Sequence, residues 1–134
     1  MFNDGSFDVV ISSNVLEHLV VPYLDRCMSE LARVGRYCLI NLPVAGRHFQ
    51  LRLKMDLKGI DLSFILDLFN YFHKPDGLTP RYCSGQHYWE IRMRGFRVAD
   101  LVRRFEKHFE VIVHYRNRDL NPSYNFVLRA KHIR

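Results

Sequence analysis

Glu17 and His18 stand side by side in the run Asn14-Val15-Leu16-Glu17-His18-Leu19. A histidine titrates near neutrality, so His18 is a candidate general base toward a hydroxyl or an amine. The competing structural reading has Glu17 capping or pairing locally and His18 shaping a helix start. Just upstream, Ser12, Ser13 and Asn14 could touch a ligand at a strand end, or could cap backbone N–H groups in a turn. Asn41 can both donate and accept hydrogen bonds. His87, Tyr88, Trp89 and Glu90 place the single Trp among three hydrogen-bonding neighbours. Such a group suits the aromatic wall of a small-molecule pocket, or else anchors a loop to the core.

The elements that must position these residues are legible from periodicity. Phe7–Ser13 contains Val9-Val10-Ile11, a β-branched run without alternation, which predicts a strand buried on both faces. From Pro22 onward Leu24, Cys27, Met28 and Leu31 recur at helical spacing, and Gly35 is placed as a C′ residue. Tyr37-Cys38-Leu39-Ile40-Asn41-Leu42 is a second apolar strand, stopped by Pro43. Strand, helix and strand with short joints make a βαβ unit of a parallel sheet. Leu62–Phe72 is apolar nearly all round and reads as a buried helix or a lid. Pro75, Gly77, Pro80 and Gly85 mark a loop after it. Val98, Leu101, Val102 and Phe105 form a second amphipathic stripe. Phe109–Tyr115 and Tyr124–Ala130 are strands joined by too few residues for a crossover, so they are expected to pair antiparallel.

Phe7-Asp8-Val9-Val10-Ile11-Ser12-Ser13-Asn14-Val15-Leu16-Glu17-His18-Leu19 resembles the class I S-adenosylmethionine-dependent methyltransferases. The likeness is to the type 11-like subgroup, whose fourth strand reads F-D-x-V-x-x-x-x-V-L-E-H-L. It continues through Ser29–Val34 and Asn41-Leu42-Pro43. Tyr88–Ile91, Gly95-Phe96, Phe109–Val111 and Asn121-Pro122 also look like the C-terminal part of such enzymes. The resemblance implies a sheet of order 3-2-1-4-5-7-6 with an antiparallel strand 7. The strands of this chain then correspond to the family's 4, 5, 6 and 7, in a partial Rossmann-like α/β fold of order 4-5-7-6. It implies S-adenosyl-L-methionine as cofactor, with Ser12, Ser13 and Asn14 near its methionine part. Asn41, His87, Tyr88, Trp89 and Glu90 fall on the substrate side. Methyl transfer itself needs little beyond in-line positioning, because the cofactor carries an activated methyl group.

The family also holds its cofactor in a Gly-rich loop after strand 1. The seven glycines are Gly5, Gly35, Gly46, Gly59, Gly77, Gly85 and Gly95, and none lies near enough to another to build such a loop. The expectation is therefore the C-terminal half of a methyltransferase domain, inactive and weak in cofactor binding by itself. Residues 1–134 are expected to form a single domain, with 44–90 as a lid or substrate-region insertion.

Composition agrees with one ordinary globular domain. The chain has 134 residues, 48% hydrophobic and 25% charged, with 20 Lys+Arg against 14 Asp+Glu for a net charge of +6. That apolar content argues against disorder. No apolar run is long enough for a membrane span, and no secretory signal opens the sequence. Cys27, Cys38 and Cys83 lack metal-type spacing and read as reduced thiols, so the expected compartment is the cytoplasm. Arg92, Arg94, Arg97, Arg103, Arg104 and Lys107 could meet nucleic acid, but aromatics are not interleaved among them, and a solvated helix face is the favoured reading. The strand at Val9-Val10-Ile11, lacking its usual neighbour, is expected to be an edge that pairs with a second copy or with a chain carrying the first half. A non-catalytic scaffold of the same fold is the alternative.

Overall fold

A computed structural model of the chain describes residues 2–45, 78, 86–117 and 123–131. The elements run β1 (Phe7–Ser13), a 3-10 turn (Leu16–His18), α1 (Val21–Val34), β2 (Gly35–Pro43), α2 (Val98–Phe105), β3 (Phe109–Asn117) and β4 (Ser123–Ala130). They form a four-stranded sheet of order β1-β2-β4-β3. β1 and β2 are parallel, while β4 is antiparallel to both β2 and β3. Three strands thus share one direction and β4 opposes them, as the order 4-5-7-6 requires. The expected helix at Leu62–Phe72, the turn at Asn121-Pro122 and most of the loop at 73–86 and of the 44–90 insertion lie outside the described residues.

The sheet has two unlike faces. Ser12, Ile40 and Phe126 are register partners on one face, and all are buried. Both helices pack there. Leu24 and Met28 of α1 and Leu101 and Phe105 of α2 enter the same core, and Phe105 meets Phe126 edge-on at 4.9 Å. Asp25 of α1 bonds Lys107 at 2.8 Å and Arg104 at 3.4 Å, tying the two helices together. The other face carries Val9, Ile11, Leu39, Val113 and Tyr115, all exposed, with Ile11 at 69%. The expectation that Val9-Val10-Ile11 is buried on both faces is therefore corrected. Both described helices sit on one side, and nothing among the described residues covers the other.

Gly35 is not the left-handed C′ residue that its position suggested. Its φ is −117°, and it opens β2 in extended conformation directly from α1. It must be glycine for a different reason. A Cβ there would lie 2.5 Å from Val10 Cγ2 and 3.3 Å from the Leu31 carbonyl. Close approach of β2 to β1, rather than chain reversal, demands the missing side chain. The sharp reversal sits instead at Gly5, with φ 64°. Its amide donates to the Arg33 carbonyl at 2.8 Å, and Arg33 pairs with Asp4 and Glu30. The end of α1 is thereby pinned to the entry of β1.

Candidate active site at the carboxyl end of the first strand

Ser12, Ser13 and Asn14 take three different roles. Ser12 points into the buried, helix-covered face. Ser13 lies on the open face, opposite Asn41 of β2. Asn14 turns the chain with φ 51°, a conformation that Asn tolerates better than most residues. Its amide donates to the Asn41 carbonyl at 3.1 Å. The Asn41 amide nitrogen donates to Asn125 Oδ1 at 2.7 Å. Ile11, Ser13, Leu39, Asn41, Tyr115 and Asn125 line a groove of about 360 Å³ on the open face. Open α/β sheets take ligands at this end of their strands.

One turn further on, Glu17 is fully buried at 0% exposure, yet neither carboxylate oxygen has a hydrogen-bond partner among the described residues. Among the described residues no partner side chain pairs with it and no geometric cap forms. Burial pushes its carboxyl above the usual carboxylate range. Its own backbone amide, His87 and His18 oppose that rise, and Glu90 adds to it. The His18 and His87 rings meet edge-on with centroids 4.6 Å apart. His18 Nδ1 lies 3.0 Å from the Gln86 carbonyl, and His87 Nδ1 lies 2.9 Å from Glu90 Oε1. The Tyr88 amide donates to the Glu17 carbonyl at 2.9 Å, locking the two segments together. Glu17, His18 and His87 each offer one ligand atom within 4.8 Å of the others.

Trp89 lies elsewhere. It is buried in the core and stacks on Phe96 at 4.7 Å, and its Nε1 has no partner among the described residues. Its large apolar ring is enclosed in the core rather than open to solvent, and anchors the 86–90 segment. Tyr88 is half-buried, and Glu90 is buried against His87.

The family model for the methyltransferase domain matches residues 1–37. The match covers little more than a quarter of the chain. It contains β1, the Glu17–His18 turn and α1, and so carries half of the site just described. No curated protein matches the chain. Among solved structures, the PH0226 protein from Pyrococcus horikoshii OT3 is similar, with a TM-score of 0.53 at 14% identity over 97% of this chain. The N-terminal domain of EvdMO1, solved with SAH bound, has a TM-score of 0.48 at 16% identity over 95% of this chain. The chain covers 54% and 48% of those two chains, about half the length of each. The likeness to the first concerns the fold: the matched segment sits in a sheet that a longer protein shares.

The matched segment alone does not reveal the whole cluster. His18 was identifiable from the V-L-E-H-L string, and Glu17 beside it. Their union with His87 depends on how the chain returns to the turn after β1, which no local spacing encodes. Asn125 and Tyr115 went unnoticed for a similar reason, since only strand register brings them opposite Asn41.

Proposed function

We propose that this chain supplies the acceptor-side half of an S-adenosylmethionine-dependent methyltransferase domain. The observation that carries the reading is the placement of the segment that matches the methyltransferase-domain model: its strand ends where Ser13, Asn41 and Asn125 border a polar-edged groove. The cofactor's methionine end would lie against Ser13 and Asn14. The acceptor would approach from the side of His18 and His87. The protein's part is to hold the acceptor atom in line with the activated methyl group and to take up its proton, for which His18 is the exposed candidate.

The Gly-rich loop for the cofactor's far end comes, in this reading, from polypeptide beyond these 134 residues, in the same protein or in a partner. The exposed apolar face and the outer position of β1 among the described strands support such an addition. Calorimetry with S-adenosylhomocysteine tests the proposal. The chain alone is expected to give no micromolar binding. Paired with a polypeptide carrying the family's first three strands and Gly-rich loop, it is expected to bind in that range. Micromolar binding by the chain alone would contradict the half-domain reading, and none in either case would contradict the cofactor assignment.

A further inference from the structure

We propose that Glu17, His18 and His87 form a binding site for one divalent transition-metal ion, zinc being the best fit. Three observations converge. The three side chains already bring one ligand atom each within 4.8 Å of the others. Ligands of a bound zinc at about 2.0–2.1 Å stand roughly 3.3–3.5 Å apart, so only a modest contraction is needed. Second, the Glu17 carboxylate is wholly buried and both its oxygens lack a partner. A buried carboxylate without hydrogen bonds is costly, and a cation between it and two imidazoles removes that cost.

Third, the outer contacts have the pattern of metal-ligating histidines. The Gln86 carbonyl can only accept, so His18 Nδ1 carries the hydrogen and Nε2 keeps its lone pair. The Glu90 carboxylate accepts from His87 Nδ1 in the same way. Carbonyl and carboxylate partners on the far ring nitrogen fix tautomer and orientation in metal sites. Two imidazoles and one carboxylate suit zinc, iron or manganese rather than calcium or magnesium, which prefer all-oxygen shells. Three protein ligands leave a coordination position open to water or to an oxygen of a substrate. The site is built entirely from this chain; with the ion in place His18 is a ligand, and the proton-accepting role proposed for it applies to the metal-free chain.

The test is calorimetric titration of the full 134-residue chain with Zn(II), paralleled by the visible spectrum of added Co(II). One ion per chain with micromolar or tighter affinity is expected, with the intense d–d bands of a low-coordinate Co(II) centre. His18→Asn and His87→Ala are each expected to weaken binding roughly tenfold or more, and Glu90→Gln by a similar factor through loss of the outer hydrogen bond. His114→Ala, on β3, serves as control and is expected to leave binding unchanged. His18 is exposed, so its variant tests the site without disturbing the core. Metal-free Glu17→Gln is expected to melt no lower than the parent while losing the ion. Absence of binding, or one-to-one binding insensitive to His18 and His87, would overturn the proposal.

Discussion

Glu17 concentrates the chemistry of this chain at the scale of one residue. A carboxylate without partners in a dry interior is tolerated only where something offsets it. Its sequence neighbour His18 drew attention to this place, but the type of residue could not disclose the burial. Cys38 makes the opposite case. Burial, with a smaller contribution from Cys27, pushes its thiol up to about 12. Thiolate is the reactive form, so native Cys38 is expected to resist alkylation at pH 8 and to react once the chain is denatured. Mass spectrometry of iodoacetamide-treated chain checks this, and rapid native labelling at Cys38 would contradict it. Trp89 belongs with Cys38: an aromatic beside polar neighbours suggested a pocket wall, and the interior claimed it because its apolar area outweighs one indole N–H.

The helices and strands were largely legible as elements, because periodicity and β-branched runs reflect backbone geometry directly. The joints were less so. Gly35 looked like a helix stop and proved to be a contact point between strands. Gly35→Ala is expected to cost about 1–3 kcal/mol through overpacking against Val10, and Val10→Ala in the same chain should recover part of that loss. Chemical denaturation of the two variants measures both effects. Besides sharing a core, α1 and α2 are linked by charge. Lys107 foremost, and Arg104 with it, hold the Asp25 carboxyl below its usual range. A depressed carboxyl stabilises the fold above its unfolded pKa, and that contribution fades as the pH falls through the folded value. Because the Asp25 side chain is 43% exposed, Asp25→Asn is expected to cost less than about 1 kcal/mol at neutral pH. The difference should shrink in acid and in high salt, and a penalty unchanged at low pH would show a different origin.

For the whole molecule, the two unlike faces of the sheet are the governing fact. The strand order agreed with what the family resemblance implies, while short joints alone account only for the β1–β2 and β3–β4 pairings. Exposure did not follow from the sequence, since Val9 and Ile11 look like core residues in any reading of pattern alone. Their face and the outer edge of β1 are expected to draw the isolated chain into self-association at micromolar concentration. Ile11→Lys should shift light scattering toward monomer, because a charge on that face opposes its burial. A parent chain that is cleanly monomeric would argue against a missing covering segment. The basic stretch matters less at this scale, since Arg103 is engaged with Asp100, and Arg104 and Lys107 with Asp25.

The account as a whole rests on the carboxyl end of β1 facing the methyl donor. Ultraviolet cross-linking of methyl-labelled S-adenosylmethionine to the complemented chain, followed by peptide mapping, tests this most directly. Label on the peptide spanning Ser12 to His18 is the result the account predicts. Label confined to other segments of this chain, with that peptide unmodified, would contradict it.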